Sequence, residues 1–156
     1  ISKYIIDTRV MNSTRTNVGG WKDSEMREWL QNDFYNTLPS NIKGMIKYVD
    51  KSYHDKGTSS TLIVSDNIWI PSCHEVTNVG YAGIKYETSG ATYHEYFKNY
   101  GAKTNYDGVA SIYWSRSAYG FNIDGYFQYI TKSGTCSSSY SDAANKSYGV
   151  VFGFCI

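Results

Sequence analysis

The sequence predicts an α+β domain. Three observations carry that expectation. The chain has 156 residues, a length suited to one hydrophobic core. Apolar residues recur at helical spacing in the first third, and the last quarter changes to the alternation of strands. Helices first and strands last make an α+β arrangement, so residues 1–156 are read as a single domain.

The elements follow in order. "YIIDTRVM" (4–11) reads as a short strand that joins the N-terminal part to a sheet, and a polar loop follows it. In "WKDSEMREWLQNDFYNTL" (21–38), Met26, Trp29, Leu30, Phe34 and Leu38 share one helical face; Glu25, Arg27, Glu28, Gln31 and Asn32 take the other. Asp23 or Ser24 supplies the cap, and Glu25 suits the positive end of the helix. Pro39 and Ser40 stop that helix and open a second, in which Ile42, Met45, Ile46 and Val49 repeat at three and four residues.

"DKGTSS" (55–60) is a loop, and "TLIVSDNIWIPS" (61–72) reads as strand, loop and strand with Trp69 and Ile70 internal. A helical turn is expected around His74 to Val76, and a third short helix near Tyr93 to Tyr100. From Ile112 onward "SIYWSRS", "GFNID", "YFQYIT" and "YGVVFGFCI" are strands. The spacing of Gly80, Gly83 and Gly90 does not make a phosphate cradle, because no strand feeds a matching motif.

Composition narrows the function classes. Aromatic residues make up 17% of the chain and 16 residues are tyrosine, so rings supply much of the buried area and some tyrosines are left as surface contact groups. The formal net charge of +1, with scattered basic residues, gives no footprint for nucleic acid and no polybasic membrane patch. No apolar run approaches the roughly 20 residues of a membrane span. The opening at Ile1, without methionine, suggests that a leader or an upstream domain has been removed.

Cys73, Cys136 and Cys155 cannot all pair within the chain and none lies in a CxxC pattern, so no disulfide framework is expected. Cys73 and Cys155 read as small buried hydrophobes, and Cys136, in a Ser-rich stretch, as exposed. His54, His74 and His94 lack paired-ligand spacing, so neither a metal nor any other cofactor is expected. Trp21, Trp29, Trp69 and Trp114, with Phe34, Phe152 and Phe154, are the candidate core, and Arg116 is expected to pair internally.

"GGWKDSEMREWLQNDFYNTLP", followed by "WIPSCHEV", "EYF", "YWSRS" and the closing "YGVVFGFCI", resembles a bacterial and phage domain family over nearly the whole chain. Its members look like C-type lectin folds, the architecture shared with formylglycine-generating enzymes and with the variable proteins of diversity-generating retroelements. The resemblance implies two to three helices packed on small antiparallel sheets, with a C-terminal variable β/loop region at about 113–148. The ending "FGFCI" looks most like the retroelement targets, whose C-terminal coding segment is rewritten at AAC codons.

Randomising the first two bases of AAC never yields Gln, Lys, Glu, Met or Trp. Between Tyr113 and Tyr148 there is no Glu or Met, and Tyr, Ser, Asn, Asp, Gly and Thr dominate. Trp114, Gln128, Lys132 and Lys146 are then framework, and the implied ligand-binding surface is Tyr119, Asn122, Asp124, Tyr126, Tyr129, Ser137, Tyr140, Asp142, Asn145 and Tyr148. Such a face works like an antibody paratope, with aromatic anchors and adaptable small polar residues.

The resemblance therefore implies a non-enzymatic receptor-recognition protein, displayed on a phage tail or a bacterial cell surface, that binds a protein or glycan on a target cell. Oligomeric state stays open, and no membrane insertion is expected. A cysteine-oxidising enzyme finds little support, since Cys136 lies in the segment expected to vary. Calcium-dependent sugar binding lacks its Glu-Pro-Asn or Gln-Pro-Asp triplet: Pro39 and Pro71 stand in "TLPS" and "WIPS". The alternative within the family is a fixed-ligand cell-wall or glycan-binding adhesin module, from which "WSRSA" and "VVFGFCI" depart.

Overall fold

The computed structural model describes residues 1–55, 60–77, 93–102, 104–119, 125–137 and 142–156, and the chain is α+β. The first helical run begins where Ser24 caps it: the Ser24 hydroxyl accepts from the Arg27 amide at 3.2 Å, and Glu25 and Glu28 occupy the first turn. Helix α1 (Glu25–Trp29) passes through a wider π-type stretch (Leu30–Phe34) into α2 (Tyr35–Thr37). Met26 and Leu30 are buried, and Trp29, Phe34 and Leu38 pack half-buried against the same core. The predicted face is the observed one.

The second helix is much shorter than its periodicity predicts. Helix α3 is only Ser40–Lys43, and Met45 is exposed. Beyond Gly44 the chain turns so that the Lys47 amide donates to the Cys155 carbonyl at 2.9 Å, and Val49 opens a strand. Pairing with the C-terminal end has overridden a short helical pattern that lacked a buried face to hold it.

Strand β2 (Val49–Tyr53) pairs antiparallel with β3 (Leu62–Asp66). The principal sheet has five strands in the order β1-β9-β6-β7-β8, with β1 at Thr8–Arg9, β6 at Tyr113–Ala118, β7 at Tyr126–Ile130, β8 at Asp142–Ala143 and β9 at Tyr148–Gly149. A small hairpin joins β4 (Asn105–Tyr106) to β5 (Val109–Ala110). Helices α4 (Cys73–Thr77) and α5 (Glu95–Tyr100) lie at the expected positions. "IWIPS" forms no full strand; Trp69 instead makes one antiparallel bridge to Gly153. The expected strand "GFNID" (120–124) lies outside the described residues.

Two clusters fill the interior. The larger holds Trp21, Trp69, Trp114, Met11, Met26, Leu30 and Phe127, with Trp29, Phe34, Phe152 and Phe154 packed at its edge. Each large buried side chain contributes about 1.5–3 kcal/mol. The expected aromatic core is thus present, with its rings divided between full and partial burial. The second cluster gathers Ile5, Cys73, Val76, Phe97, Tyr113, Ile130, Cys136 and Val151.

Cys73 is buried as expected, but the rest of the cysteine expectation is overturned: Cys136 is buried, Cys155 is exposed, and a disulfide is present. Cys73 and Cys136 form a disulfide inside the second cluster, and Cys155 is the exposed free thiol. The cause is tertiary. The Cys73 amide at the start of α4 donates to the Ser117 hydroxyl at 3.0 Å, and Cys136 bridges Ile130 at the end of β7. Those two anchors bring together cysteines separated by 63 positions, which no local spacing motif announces.

Candidate functional site

The expected contact residues hang on strands β6 to β9, so what holds those strands decides what the surface can do. Asn17 is fully buried in the loop after β1, and its side chain grips the β6–β7 hairpin at the end where its two strands are connected. Its Nδ2 donates to the carbonyls of Tyr119 (3.3 Å) and Tyr126 (3.1 Å), and its Oδ1 accepts from the Gly125 amide (2.9 Å). Gly125 has φ +81°, and a Cβ there would lie 2.6 Å from the Arg15 carbonyl, so the position admits only glycine. The same loop reaches β8: the Met11 amide donates to Ala144 O at 2.8 Å, and the Ala144 amide to Gly125 O at 2.8 Å.

This frame is itself tied to α1. Asn12 Oδ1 accepts from the Glu25 amide at 2.9 Å while its Nδ2 donates to Thr16 O at 2.7 Å. The amide and hydroxyl of Ser13 both donate to the Glu25 carboxylate, at 3.0 and 2.6 Å. Asn12 and Asn17 escape sequence reasoning because a polar loop residue carries no sign of being buried.

The structure sorts the expected contact residues into two groups. At one end of the sheet, the Tyr119 amide donates to Tyr126 O at 3.0 Å, Tyr126 pairs with Ala143, and Phe127 with Asp142. Tyr126 carries the Arg15 guanidinium over its ring at 4.4 Å and accepts a hydrogen bond from it. Exposed Asn145 follows in the turn after β8. Tyr119 and Tyr126 are half-buried, and together with Asn145 they mark where the chain leaves the sheet.

On the face over the larger core, Tyr129 lies opposite Trp114, and its ring is 5.4 Å from that of Tyr148. Tyr148 in turn sits 4.7 Å from Trp114. Both tyrosines are half-buried and packed against the core. Ser137 is a correction: it is 5% exposed, its hydroxyl donates to Gln128 Oε1 at 3.0 Å, and its amide donates to Tyr129 O at 2.9 Å. It is framework because the antiparallel bridge from Cys136 to Ile130 lays it alongside β7, where its hydroxyl meets Gln128. Asn122, Asp124 and Tyr140 lie outside the described residues; Asp142 is placed here by its backbone alone.

A groove of about 720 Å³ opens beside Tyr148, between β1, α1 and Ser147. Arg9, the Cα partner of Tyr148, lays its guanidinium over Trp29 at 3.9 Å and is held by Asp7 Oδ2 at 2.9 Å. The Trp114 indole donates to Arg9 O at 2.9 Å, so the groove wall and the Tyr129–Tyr148 pair share one support. Glu28, Asn32 and Asp33 line the far side. Sequence analysis missed this groove, because its residues come from segments read only as strand and helix.

Beneath the sheet lies a buried ion cluster. Arg116 is fully buried; its guanidinium donates to Ser52 O and Ile70 O, both at 2.9 Å, and to Glu75 Oε2 at 2.5 Å. Internal pairing of Arg116 is as expected. Lys51 reaches Glu75 Oε1 at 3.2 Å and lies 3.4 Å over the Trp69 ring. Burial pushes the Glu75 carboxyl upward, but the charge and hydrogen bond of Arg116, then Lys51 and the Ser72 amide, bring it down to about 2. Burial lowers Lys51, with Glu75 opposing. Burial also raises the Tyr113 hydroxyl, which donates to Ala102 O at 2.8 Å.

Among the described residues no three of His, Cys, Asp and Glu stand together as a cation site. What the arrangement offers is contact chemistry: tyrosine rings, small polar groups and a groove, on a scaffold braced from below. The family described as Domain of unknown function (DUF6273) matches residues 1–156. No curated protein and no solved structure matches the chain.

Proposed function

The chain belongs to the DUF6273 family along its whole length, and from that premise we propose that it is a ligand-recognition domain. Its C-terminal strands and their connections form the recognising face, diversified by a retroelement, and the C-type lectin-like architecture is part of the same proposal. The supporting observation is the division of labour around Asn17. Among the described residues, three hydrogen bonds made by one buried side chain hold the hairpin at Tyr119, Gly125 and Tyr126, which supports a frame fixed by a residue that lies outside the segment expected to vary.

The partner is a protein or glycan on a target cell surface, and the carrier a phage tail or a bacterial surface protein. A standard interface needs about 800 Å² from each partner, with a few anchors worth about 2 kcal/mol each. Tyr119, Tyr126 and Asn145 begin such a face.

The test has two parts. DNA encoding 113–148 should carry AAC-derived codons beside a near-identical template copy and a reverse transcriptase. Immobilised protein should capture a ligand from glycan and cell-surface protein arrays, and a Tyr119→Ala/Asn145→Ala variant should lose it while melting at the same temperature. Ligand binding untouched by those substitutions would reject the assignment of the face. A locus without template or transcriptase would favour the second reading, a fixed-ligand cell-wall or glycan-binding adhesin module. The groove at Arg9 and Trp29 favours that reading, since all of its lining except Ser147 lies outside the segment expected to vary.

A further inference from the structure

We infer that Cys73 and Cys136 are cross-linked after export, and that the domain works as an exported surface module rather than in a particle assembled in a reducing cytoplasm. The choice of carrier rests on the recognition reading; the cross-link does not. The two Cα atoms are 5.7 Å apart, in the middle of the range that a disulfide spans. Both residues are buried, at 0% and 3% exposure, among Val76, Phe97, Tyr113, Ile130 and Val151.

That setting separates a structural bond from a reactive one. Redox-active cysteines sit in exposed, electropositive surroundings that stabilise the thiolate, whereas an apolar cluster disfavours it. Among the described residues two neutral polar groups adjoin the pair, the Ser115 hydroxyl 3.4 Å from Cys73 Sγ and Gln128 Oε1 3.3 Å from Cys136 Sγ, and neither carries the positive charge that would stabilise a thiolate. Exchange through such a site requires the second cluster to open. The bond is a permanent tie between α4 and the turn after β7, and it anchors the chain just before the expected contact segment resumes beyond Ser137.

Disulfides of this kind form and persist outside the cytoplasm, where the glutathione and thioredoxin systems do not reduce them. In the forming step the two thiols lose two protons and two electrons. The acceptor is the disulfide of an extracytoplasmic thiol oxidoreductase, which leaves as a dithiol. Cys155, exposed and free, is the internal reference for counting thiols.

The experiment produces the full chain in two ways, exported to a bacterial periplasm and retained in the cytoplasm. Each sample is denatured without reductant, alkylated with iodoacetamide and weighed by mass spectrometry. The exported protein should gain one alkyl group, on Cys155, and the cytoplasmic protein three. Reduced protein, and a Cys73→Ala/Cys136→Ala variant, should melt roughly 10 °C below the oxidised form. Three alkylated cysteines in exported protein, equal oxidation in both compartments, or equal melting of oxidised and reduced protein would each overturn the inference. Thiol counting uses no ligand, so a protein with one free thiol that binds nothing would count against the recognition reading alone.

Discussion

Replacing Asn17 by alanine tests whether one buried amide holds the display end of the sheet. Among the described residues three hydrogen bonds disappear: those to the Tyr119 and Tyr126 carbonyls and that from the Gly125 amide. Each intramolecular hydrogen bond is worth about 1 kcal/mol net, and its loss leaves a buried backbone group short of a partner. The Tyr126 carbonyl keeps the Tyr119 amide, so its share is at the low end. The expected loss is about 3 kcal/mol, or roughly 6–12 °C in melting temperature for a chain of this length. Asn17→Asp keeps an acceptor for Gly125 but turns a charged oxygen toward two carbonyls, so it should be no better than alanine. Urea denaturation gives the stability, and amide hydrogen exchange reads the Gly125 N–H directly. A loss below about 0.5 kcal/mol, with Gly125 as protected as before, would refute the view that this side chain braces the hairpin.

Further outcomes follow from the same geometry. Arg116→Met leaves the buried Glu75 charge with Lys51 and the Ser72 amide and should cost about 3–5 kcal/mol in chemical denaturation; a cost under about 1 would mean that those two suffice. Glu75 has a folded-state pKa of about 2 against an ordinary 4.5, so the stability it confers is present above pH 4.5 and is lost as pH falls toward 2. The change amounts to about 3 kcal/mol, and Glu75→Gln should flatten that part of the acid-unfolding curve. Asn145→Lys, at an exposed turn position, should stay within about 0.5 kcal/mol of the parent, whereas Ser137→Tyr, forced into a buried slot, should cost more than about 1–3 kcal/mol by the same urea assay.

The legible parts of the fold are those in which one physical signal dominates. The face of α1 shows in the sequence because Met26, Leu30 and their neighbours repeat at helical spacing and Ser24 caps them. The internal pairing of Arg116 shows because a lone arginine in a strand needs a partner when buried, though nothing local names Glu75, 41 positions away. The second helix misleads because Met45, which carries the period, is left exposed, while Val49 packs on the core from a strand, and the bond from Lys47 to Cys155 decides the path. The disulfide is hidden for the same reason: it depends on where two distant anchors place Cys73 and Cys136.

The site shows a subtler limit. Serine stands both exposed, at Ser147, and buried as framework, at Ser137, in the same short segment, so residue type cannot draw the boundary between surface and framework. Ser137 faces Gln128 inside, and Tyr129 and Tyr148 brace Trp114, while Asn145 faces solvent. The boundary follows instead from which backbone groups need a partner. The chain is fixed wherever Asn17 or the Cys136–Ile130 bridge supplies one, and Gln128 Oε1 adds a side-chain hold on the Ser137 hydroxyl. A composition consistent with sampling at one codon therefore contains positions, such as Ser137, at which sampling would destabilise the fold. If the retroelement reading holds, sibling sequences should vary at Asn145 and keep Ser137 small, and free substitution at both would separate the composition from its proposed origin.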